Sequence, residues 1–416
     1  MQVGPESPKG VPQASPIAHA AATLVVLGVS LLPLPVRAQI LRDNLWVANG
    51  SVRAVVTSGG ILYLGGQFTR IAPATGAAVA LDAATGAPQQ PYPTVVGPSG
   101  GNPLAVTAVA SDGGGGWYIG GTFTSVLGQP RQNLAHIDAV GNLTSWDPSS
   151  NGYVHALAVN GGTVYAGGEF TAIGGANRNR IAALDGATGA ALSWDPSADG
   201  TVYALAVNAG AVYAGGSFTA IGGQARNRIA ALDAATGVAS SWNPDANSTV
   251  RTLVVNGSTV YAGGDFTSLG GQSRNRVAAI DAVIGAATGW NPNANGQVLT
   301  LAVSGSMIYA GGTFTSIGGQ PRNRIAALDG ATGDATSWNP NASGSVSAVA
   351  VSGSTVYAGG RFTGIGGQSR SRIAALDGAT GSAASWDPSA DGGVLAGCPV
   401  GGGRPLRNVG HDLARI

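Results

Sequence analysis

Residues 201–248 read "TVYALAVNAGAVYAGGSFTAIGGQARNRIAALDAATGVASSWNPDANS", and close variants of this stretch recur along most of the chain. The interval is 48 residues, which is the spacing of Tyr165, Tyr213 and Tyr261 and of the Phe and Trp residues that follow them. Seven copies of Tyr-x-Gly-Gly-x-Phe-Thr occur between Tyr63 and Thr363. A fixed period of this length indicates a protein built from stacked, similar units.

Each unit divides into four short segments, which here are "TVYALAV", "AVYAGGSFTAI", "RIAALDA" and "ASSWNP". Val, Ile, Tyr, Phe and Thr dominate these segments, and alternation is visible in the first of them, as expected of strands. The breaks are rich in Gly, Asn, Asp and Pro, which favour turns. The pattern predicts an all-β fold, a β-propeller of four-stranded blades, because radial stacking buries both faces of each sheet. A right-handed β-solenoid is the structural alternative.

The repeat also predicts the domain organisation. Residues 39–392 should form the propeller, with seven blades as the prediction and eight as the alternative, because Trp46 and Asn49–Gly50 mimic a fourth strand and its turn. Residues 1–38 are predicted to be a signal peptide, since an apolar run is followed by small residues at the −3 and −1 positions of a cleavage site after Ala38. Residues 393–416 lose every landmark of the repeat and are interpreted as a degenerate or truncated tail.

Composition narrows the classes of partner. Without Lys9, Arg37 and Glu6 of the leader, 19 basic and 19 acidic residues remain, so net charge gives no argument for nucleic acid. No later segment is apolar enough to predict a membrane span, and the single Cys398 excludes an intrachain disulfide framework. We therefore expect a monomer that is secreted, extracellular or at the cell surface, with the periplasm as an alternative.

The unit resembles a known family of repeats. "VYAGGSFTAIGG", "RNRIAALDAATG" and "WNPNANGQVLTLAV" are similar to the delta-60-type propeller repeats of secreted and surface bacterial proteins. The unit is also similar to the cortical polarity-marker repeat of fungi and, more distantly, to quinoprotein and Kelch propellers. This resemblance implies a recognition or surface role outside the cytoplasm and supplies no catalytic residues.

The Asp-x-x-Thr-Gly element followed by Trp, as in residues 185–194, has a sufficient structural interpretation. Asp185 can accept hydrogen bonds from backbone N–H groups of a turn, Gly189 supplies a positive φ, and Trp194 packs between blades. Likeness to quinoprotein dehydrogenases would imply a vicinal Cys pair and a calcium site with Glu, yet Cys398 is alone and Glu169 is the only Glu after the leader. We therefore expect no cofactor, no pyrroloquinoline quinone and no metal; weak calcium binding by the Asn/Asp-rich loops is the alternative.

Two arginine positions recur in the repeat and form the main candidate site. Most units contain the segment Arg-x-Arg. The first arginines of these segments would form one ring around one end of a propeller, and the second arginines, two residues later, would form another. The guanidinium groups could bind an anionic glycan or other polyanion, or they could pair with the strand-ending Asp or with loop carbonyls. The residues are Arg131, Arg178, Arg226, Arg274, Arg322 and Arg370 in the first ring, and Arg180, Arg228, Arg276, Arg324 and Arg372 in the second.

Positions that differ between units mark surface that the scaffold does not dictate. The x position of Gly-Gly-x-Phe-Thr varies most clearly and includes Glu169, Asp265 and Arg361. We expect these residues to share one rim with the arginines. The sequence thus predicts a non-catalytic module that binds a glycan or protein outside the cell, with no catalytic residue assigned. The alternative is an extracellular hydrolase or lyase that acts on polysaccharide with carboxylates of the channel, so enzymatic activity is left undecided and is not favoured.

Overall fold

The computed structural model describes residues 50–68, 77–90, 93–98, 105–208 and 210–387, all within the compact unit Asp43–Ile416. These residues form strands, turns and loops, and none of them is in a helix. Accordingly, this part of the chain contains no helix of the length and apolar character needed to cross a membrane. The predicted signal peptide and the predicted tail lie outside the described residues.

The described residues contain seven antiparallel three-stranded sheets with the strands of the repeat, named sheet 1 to sheet 7 in chain order. The first strands are Val52–Ser58, Ala105–Ser111, Val154–Asn160, Val202–Asn208, Val250–Asn256, Val298–Ser304 and Val346–Ser352. The middle strands are Ile61–Gly66, Trp117–Thr122, Thr163–Gly168, Ala211–Gly216, Thr259–Gly264, Met307–Gly312 and Thr355–Gly360. The third strands are Ala78–Asp82, Leu134–Ile137, Ile181–Asp185, Ile229–Asp233, Val277–Asp281, Ile325–Asp329 and Ile373–Asp377.

The two ends of every sheet differ. At the hairpin end of sheets 2 to 7, where the first strand begins and the middle strand ends, a pair of two-residue strands forms a small hairpin. At the turn end, the third strand leads into the Asp-x-x-Thr-Gly turn or its variant. The small hairpins are Ser125–Val126 with Gln129–Pro130, Ala172–Ile173 with Ala176–Asn177, Ala220–Ile221 with Gln224–Ala225, Ser268–Leu269 with Gln272–Ser273, Ser316–Ile317 with Gln320–Pro321, and Gly364–Ile365 with Gln368–Ser369; Val95–Val96 adds a third strand to the first of them.

The sheets follow one another in a closed order. The first strand of each sheet lies against the first strand of the next, and that of sheet 1 lies against that of sheet 7. Side chains cross this last boundary, since Thr57 Oγ1 donates to Val351 O at 3.3 Å and the Tyr357 hydroxyl donates to Ala83 O at 2.7 Å. The prediction of an all-β propeller is confirmed.

The fourth segment of each unit pairs less than a full strand would. In sheet 4 it forms a single bridge, Leu232 to Ala239, supported by the hydrogen bond from Ser240 N to Ala231 O. The chain then turns inward at Trp242, which is 2 % exposed and packs between sheets 4 and 5. Burial of the indole therefore takes precedence over continued strand pairing, and the fourth strand is reduced to a bridge.

The tryptophans connect neighbouring sheets by the same contact. Trp194 Nε1 donates to Asp233 O at 2.9 Å, 39 residues ahead, and the ring lies edge-on to Tyr165. Trp146, Trp242, Trp290 and Trp338 make the equivalent hydrogen bond. Trp386 packs against sheet 1, but its Nε1 is buried without a hydrogen-bond partner among the described residues.

The turn interpretation of Asp-x-x-Thr-Gly is confirmed. Asp185 Oδ1 accepts hydrogen bonds from Thr188 N and Thr188 Oγ1, both at 2.7 Å, and from Ala187 N at 3.1 Å, while Gly189 has a φ of 80°. These bonds, led by the one from the Thr188 hydroxyl, hold the pKa of Asp185 below its usual value, since they favour the charged carboxylate. The motif therefore closes a turn.

Candidate functional site

A β-bulge at the start of every first strand creates the candidate site. In sheet 5, Val250 pairs with Gly264 and Thr252 pairs with Gly263, so Arg251 is the extra residue of the bulge. A bulge residue leaves the regular alternation of the strand, and bulges commonly re-aim a side chain next to a functional site. The equivalent residues of sheets 1 to 7 form what we call the bulge ring: Arg53, Thr107, His155, Tyr203, Arg251, Leu299 and Ser347.

The bulge ring surrounds the mouth of a central channel at the hairpin end. A cavity of about 210 Å³ is lined by residues of all seven first strands, including every member of the bulge ring. A neighbouring cavity of about 170 Å³ lies beside Arg53, Gln67, Tyr153 and His155. The mouth is thus a concave, mainly polar surface of the kind that holds small ligands or parts of larger ones.

The variable position of Gly-Gly-x-Phe-Thr contributes a second ring beside the first, which we call the Gly-Gly-x ring. Its members contact the bulge ring within a sheet: Arg251 and Asp265 form a bidentate ion pair with a shortest distance of 2.7 Å, and His155 Nε2 lies 3.0 Å from Glu169 Oε1. The other members are Gln67, Thr122, Ser217, Thr313 and Arg361. The structure therefore brings Glu169 and Asp265 to the rim of the channel.

Aromatic rings add to the wall of the mouth. The His155 ring lies 5.2 Å from the Tyr203 ring and 6.5 Å from that of Tyr153. The Arg251 guanidinium lies over Tyr203, 5.8 Å from the ring centroid, within the range of a cation–π contact. Among the described residues, no three His, Cys, Asp or Glu side chains come together in a way that could hold a metal ion.

The first arginine ring lies at the same end but is engaged by the scaffold. Arg178 Nη1 donates to Asn177 O at 2.8 Å, Arg178 Nη2 donates to Leu192 O at 2.6 Å, and Asp195 lies 3.6 Å away. Five further arginines make the same pair of carbonyl contacts: Arg131, Arg226, Arg274, Arg322 and Arg370. The partners are main-chain carbonyls of the small hairpin and of the fourth segment, whereas the strand-ending Asp185 is used by its own turn.

The second arginine ring stabilises the loop that leads to the next sheet. Arg180 Nη1 donates to Ala198 O at 2.9 Å, and Arg228, Arg276 and Arg324 make the equivalent bond. Arg372 shares their positive φ of about 65°, which is uncommon for a residue other than glycine. In sheet 2, Asn133 takes this position and donates to Ser150 O and Gly152 O. These contacts show a structural use of both rings; a ligand role for them stays a prediction.

Replacing Arg178 with alanine should lower the free energy of unfolding by about 1–3 kcal/mol, because the Leu192 and Asn177 carbonyls lose a charged donor. Arg178→Lys should recover only part of this loss, since one ammonium group cannot span both carbonyls as the planar guanidinium does. Denaturant titration of the three proteins measures the difference. Equal stability of all three would contradict the scaffold role.

The sequence interpretation missed Arg53, His155, Tyr203 and Arg251 as members of the site. Their signal is present in the sequence: the position between the recurring Val and the Ala or Thr of the first segment reads Arg, Thr, His, Tyr, Arg, Leu and Ser along the seven units. This position varies between units although the residues on both sides of it recur. The fold therefore does not fix the residue type at this position. The bulge that turns it toward the channel is what the sequence does not show.

Closed stacking of repeated sheets, with a fourth-segment tryptophan packed at six of the seven boundaries between the described sheets, defines a β-propeller of the quinoprotein type. Residues 177–402, which are more than half of the chain, match the family model described as outer membrane protein assembly factor BamB, and the chain belongs to that family. The quinoprotein-like resemblance is thereby confirmed, whereas the delta-60-type assignment stays a prediction.

Similar solved structures are distant in sequence. The computationally designed Ika8 protein is 19% identical over 77% of this chain and 98% of that chain, with a TM-score of 0.45. BamB from Moraxella catarrhalis is 19% identical over 76% of this chain and 80% of that chain, with a TM-score of 0.41. A comparison with curated proteins gives no match.

Proposed function

We propose that this chain is a non-catalytic binding module outside the cytoplasm, secreted or at the cell surface, that holds a glycan or protein ligand at the channel mouth. The observation that carries the proposal is the pair of variable rings, which occupy one end of a scaffold whose other positions repeat. Repeated residues maintain the propeller, and the residues that differ from sheet to sheet give this mouth its own chemistry.

Two further observations support the proposal. The family description, an outer membrane protein assembly factor, favours the cell envelope and a binding role for this chain. The carboxylates of the mouth are engaged by cationic or ring nitrogens, Asp265 by Arg251 and Glu169 by His155. A hydrolase of polysaccharide needs one carboxyl group as acid and a second as base or nucleophile, so this pairing favours binding over the enzymatic alternative.

The test is an array of glycans and of peptides probed with the labelled full chain. We expect a defined set of ligands whose affinity falls at least about tenfold in Tyr203→Ala and His155→Ala, because both rings lie in the wall of the mouth. Val283→Ser, a change at the turn end where the side chain is 77% exposed, is the matched control and should leave the profile unchanged. Loss of the profile in the control, or its persistence in both mouth variants, would overturn the assignment to the channel mouth.

A further inference from the structure

Arginine occurs twice in the bulge ring, and the two copies have different partners. Arg251 is neutralised by Asp265 through a bidentate pair. In sheet 1, the residue equivalent to Asp265 is Gln67, which is neutral. Arg53 Nη2 donates to Gln67 Oε1 at 2.7 Å. Arg53 forms no ion pair with any described carboxylate, although it is half-buried. A guanidinium in this position retains an uncompensated charge.

A second cation at the hairpin end is the exposed Arg361 of the neighbouring sheet. Arg361 occupies the Gly-Gly-x position of sheet 7, whose bulge residue is the neutral Ser347, and sheet 7 lies next to sheet 1. In sheet 5, Asp265 at this position contacts the following sheet, since Gln297 Nε2 donates to its Oδ1 at 2.8 Å. By the same relation, the Gly-Gly-x residue of sheet 7, Arg361, should face the start of the first strand of sheet 1, where Arg53 lies.

The electrostatics agree with this placement. The pKa of Arg53 is lowered from its ordinary value, first because burial disfavours its charged form and second because the positive charge of Arg361 repels it. Within the described residues, Arg361 also has no carboxylate within ion-pair distance. Like charges placed together without a counter-ion are unfavourable unless an anion binds between them.

We propose that sheets 7 and 1 form a carboxylate-binding subsite at the channel mouth, in which Arg53 and Arg361 hold the acid group of a uronic-acid glycan. The inference rests on the binding module proposed above and names its ligand class. Two guanidinium groups match a carboxylate because their N–H groups donate charge-assisted hydrogen bonds in a planar fork.

The surroundings favour a sugar over a peptide. Gln67, Tyr153 and His155 line the cavity beside Arg53, so its wall combines an amide group with two rings that can pack against a sugar. The Thr107 and Thr122 hydroxyls of the same wall are hydrogen-bonded to Val154 O and Ala105 N. A protein partner is usually bound through apolar anchors in desolvated pockets. Four of the five exposed large apolar side chains among the described residues lie instead at the turn end, namely Val140, Val238, Val283 and Ile284. The fifth, Val96, pairs with Ser125 of the small hairpin of sheet 2.

The experiment is calorimetric titration of the full chain with tri-galacturonic acid and with its methyl ester, which removes the charge and keeps the sugar. We expect the acid to bind at least about tenfold more tightly than the ester, and Arg53→Gln and Arg361→Gln each to weaken the acid by at least about tenfold. Ser258→Asp makes the same change in net charge at an exposed position of the turn end and is the control, expected to stay within about twofold.

Arg361→Glu separates binding from folding. The new carboxylate would lie near Arg53 and neutralise it, so the unfolding midpoint should not fall, while the affinity for the acid is lost.

Equal affinities for acid and ester, or retained affinity in both glutamine variants, would overturn the subsite. An acidic peptide that binds more tightly than the sugar acid would overturn the glycan assignment. Acid and ester that bind equally, and both more weakly in Tyr203→Ala, would overturn only the subsite, whereas an array without any ligand would overturn the binding module itself.

Discussion

Replacing Trp242 with alanine should lower the free energy of unfolding by about 3–5 kcal/mol, the usual cost of removing a large aromatic side chain from a packed core. The indole is 2% exposed and lies between Ile229 and Ala231 of sheet 4 and Val250 of sheet 5. No other side chain of the fourth segment reaches this boundary with comparable area, so the cavity would open between two sheets. Denaturant titration should show the loss as a lower midpoint.

A pair of phenylalanine variants separates the contribution of the indole hydrogen bond to the free energy of unfolding from that of packing. Trp242 Nε1 donates to Asp281 O at 2.8 Å, whereas Trp386 Nε1 is buried without a partner among the described residues. Phenylalanine removes similar volume at both positions but breaks a hydrogen bond only at the first. Trp242→Phe should therefore cost about 1 kcal/mol more than Trp386→Phe. Equal costs would show that the indole N–H contributes nothing and that packing alone stabilises the boundary.

The repeat allowed the fold to be predicted because each of its landmarks has a local physical cause. Asp185 and Gly189 set a turn through backbone hydrogen bonds and a positive φ, both of which depend on residues a few positions away. Trp194 recurs at a fixed interval, and a large apolar ring in a polar loop must be buried against a neighbour. Strand identity, turn positions and sheet boundaries follow from such local rules.

The site could be predicted only in part because its geometry depends on register. In an uninterrupted hairpin closed by Asn256 and Thr259, Val250 would pair with Asp265; the bulge moves this partner to Gly264. That shift of one residue is what places Arg251 beside Asp265 at the channel mouth. The variation at Glu169, Asp265 and Arg361 pointed to a rim, but the partners of Glu169 and Asp265 lie 14 residues earlier and are identified only once the bulge is known.

For the two arginine rings, the sequence predicted where the residues lie but not what they bind. Regular spacing of Arg178 and Arg180 predicted rings at one end of the propeller, and both residues lie at the hairpin end with Glu169. Spacing cannot tell a guanidinium that faces solvent from one that binds a carbonyl. Leu192 O and Ala198 O are main-chain atoms, and any residue type could have supplied them.

Replacing Gly168 with alanine should lower the free energy of unfolding by about 3 kcal/mol, near the upper end of the usual cost of overpacking. A Cβ at this position would clash with Tyr153 O, a main-chain atom directly before the first strand of sheet 3. Side chains can rotate away from such a clash, but a carbonyl within a β-bulge can move only if the strand moves. Gly168→Ala should therefore both lower the stability and displace the bulge residue His155.

Gly162→Ala is the matched control within the same sheet. Gly162 lies in the turn between the first and middle strands, has no positive φ, and a Cβ there would meet nothing within 4 Å. Alanine at this position restricts the unfolded chain without straining the fold, so it should be neutral or stabilise by about 0.4–1 kcal/mol. Thermal and denaturant unfolding of the two variants, with ligand binding as a second readout, measures the contrast. Similar stability of Gly168→Ala and Gly162→Ala would mean that the bulge can rearrange, and the close approach at Gly168 would then not be what fixes the channel mouth.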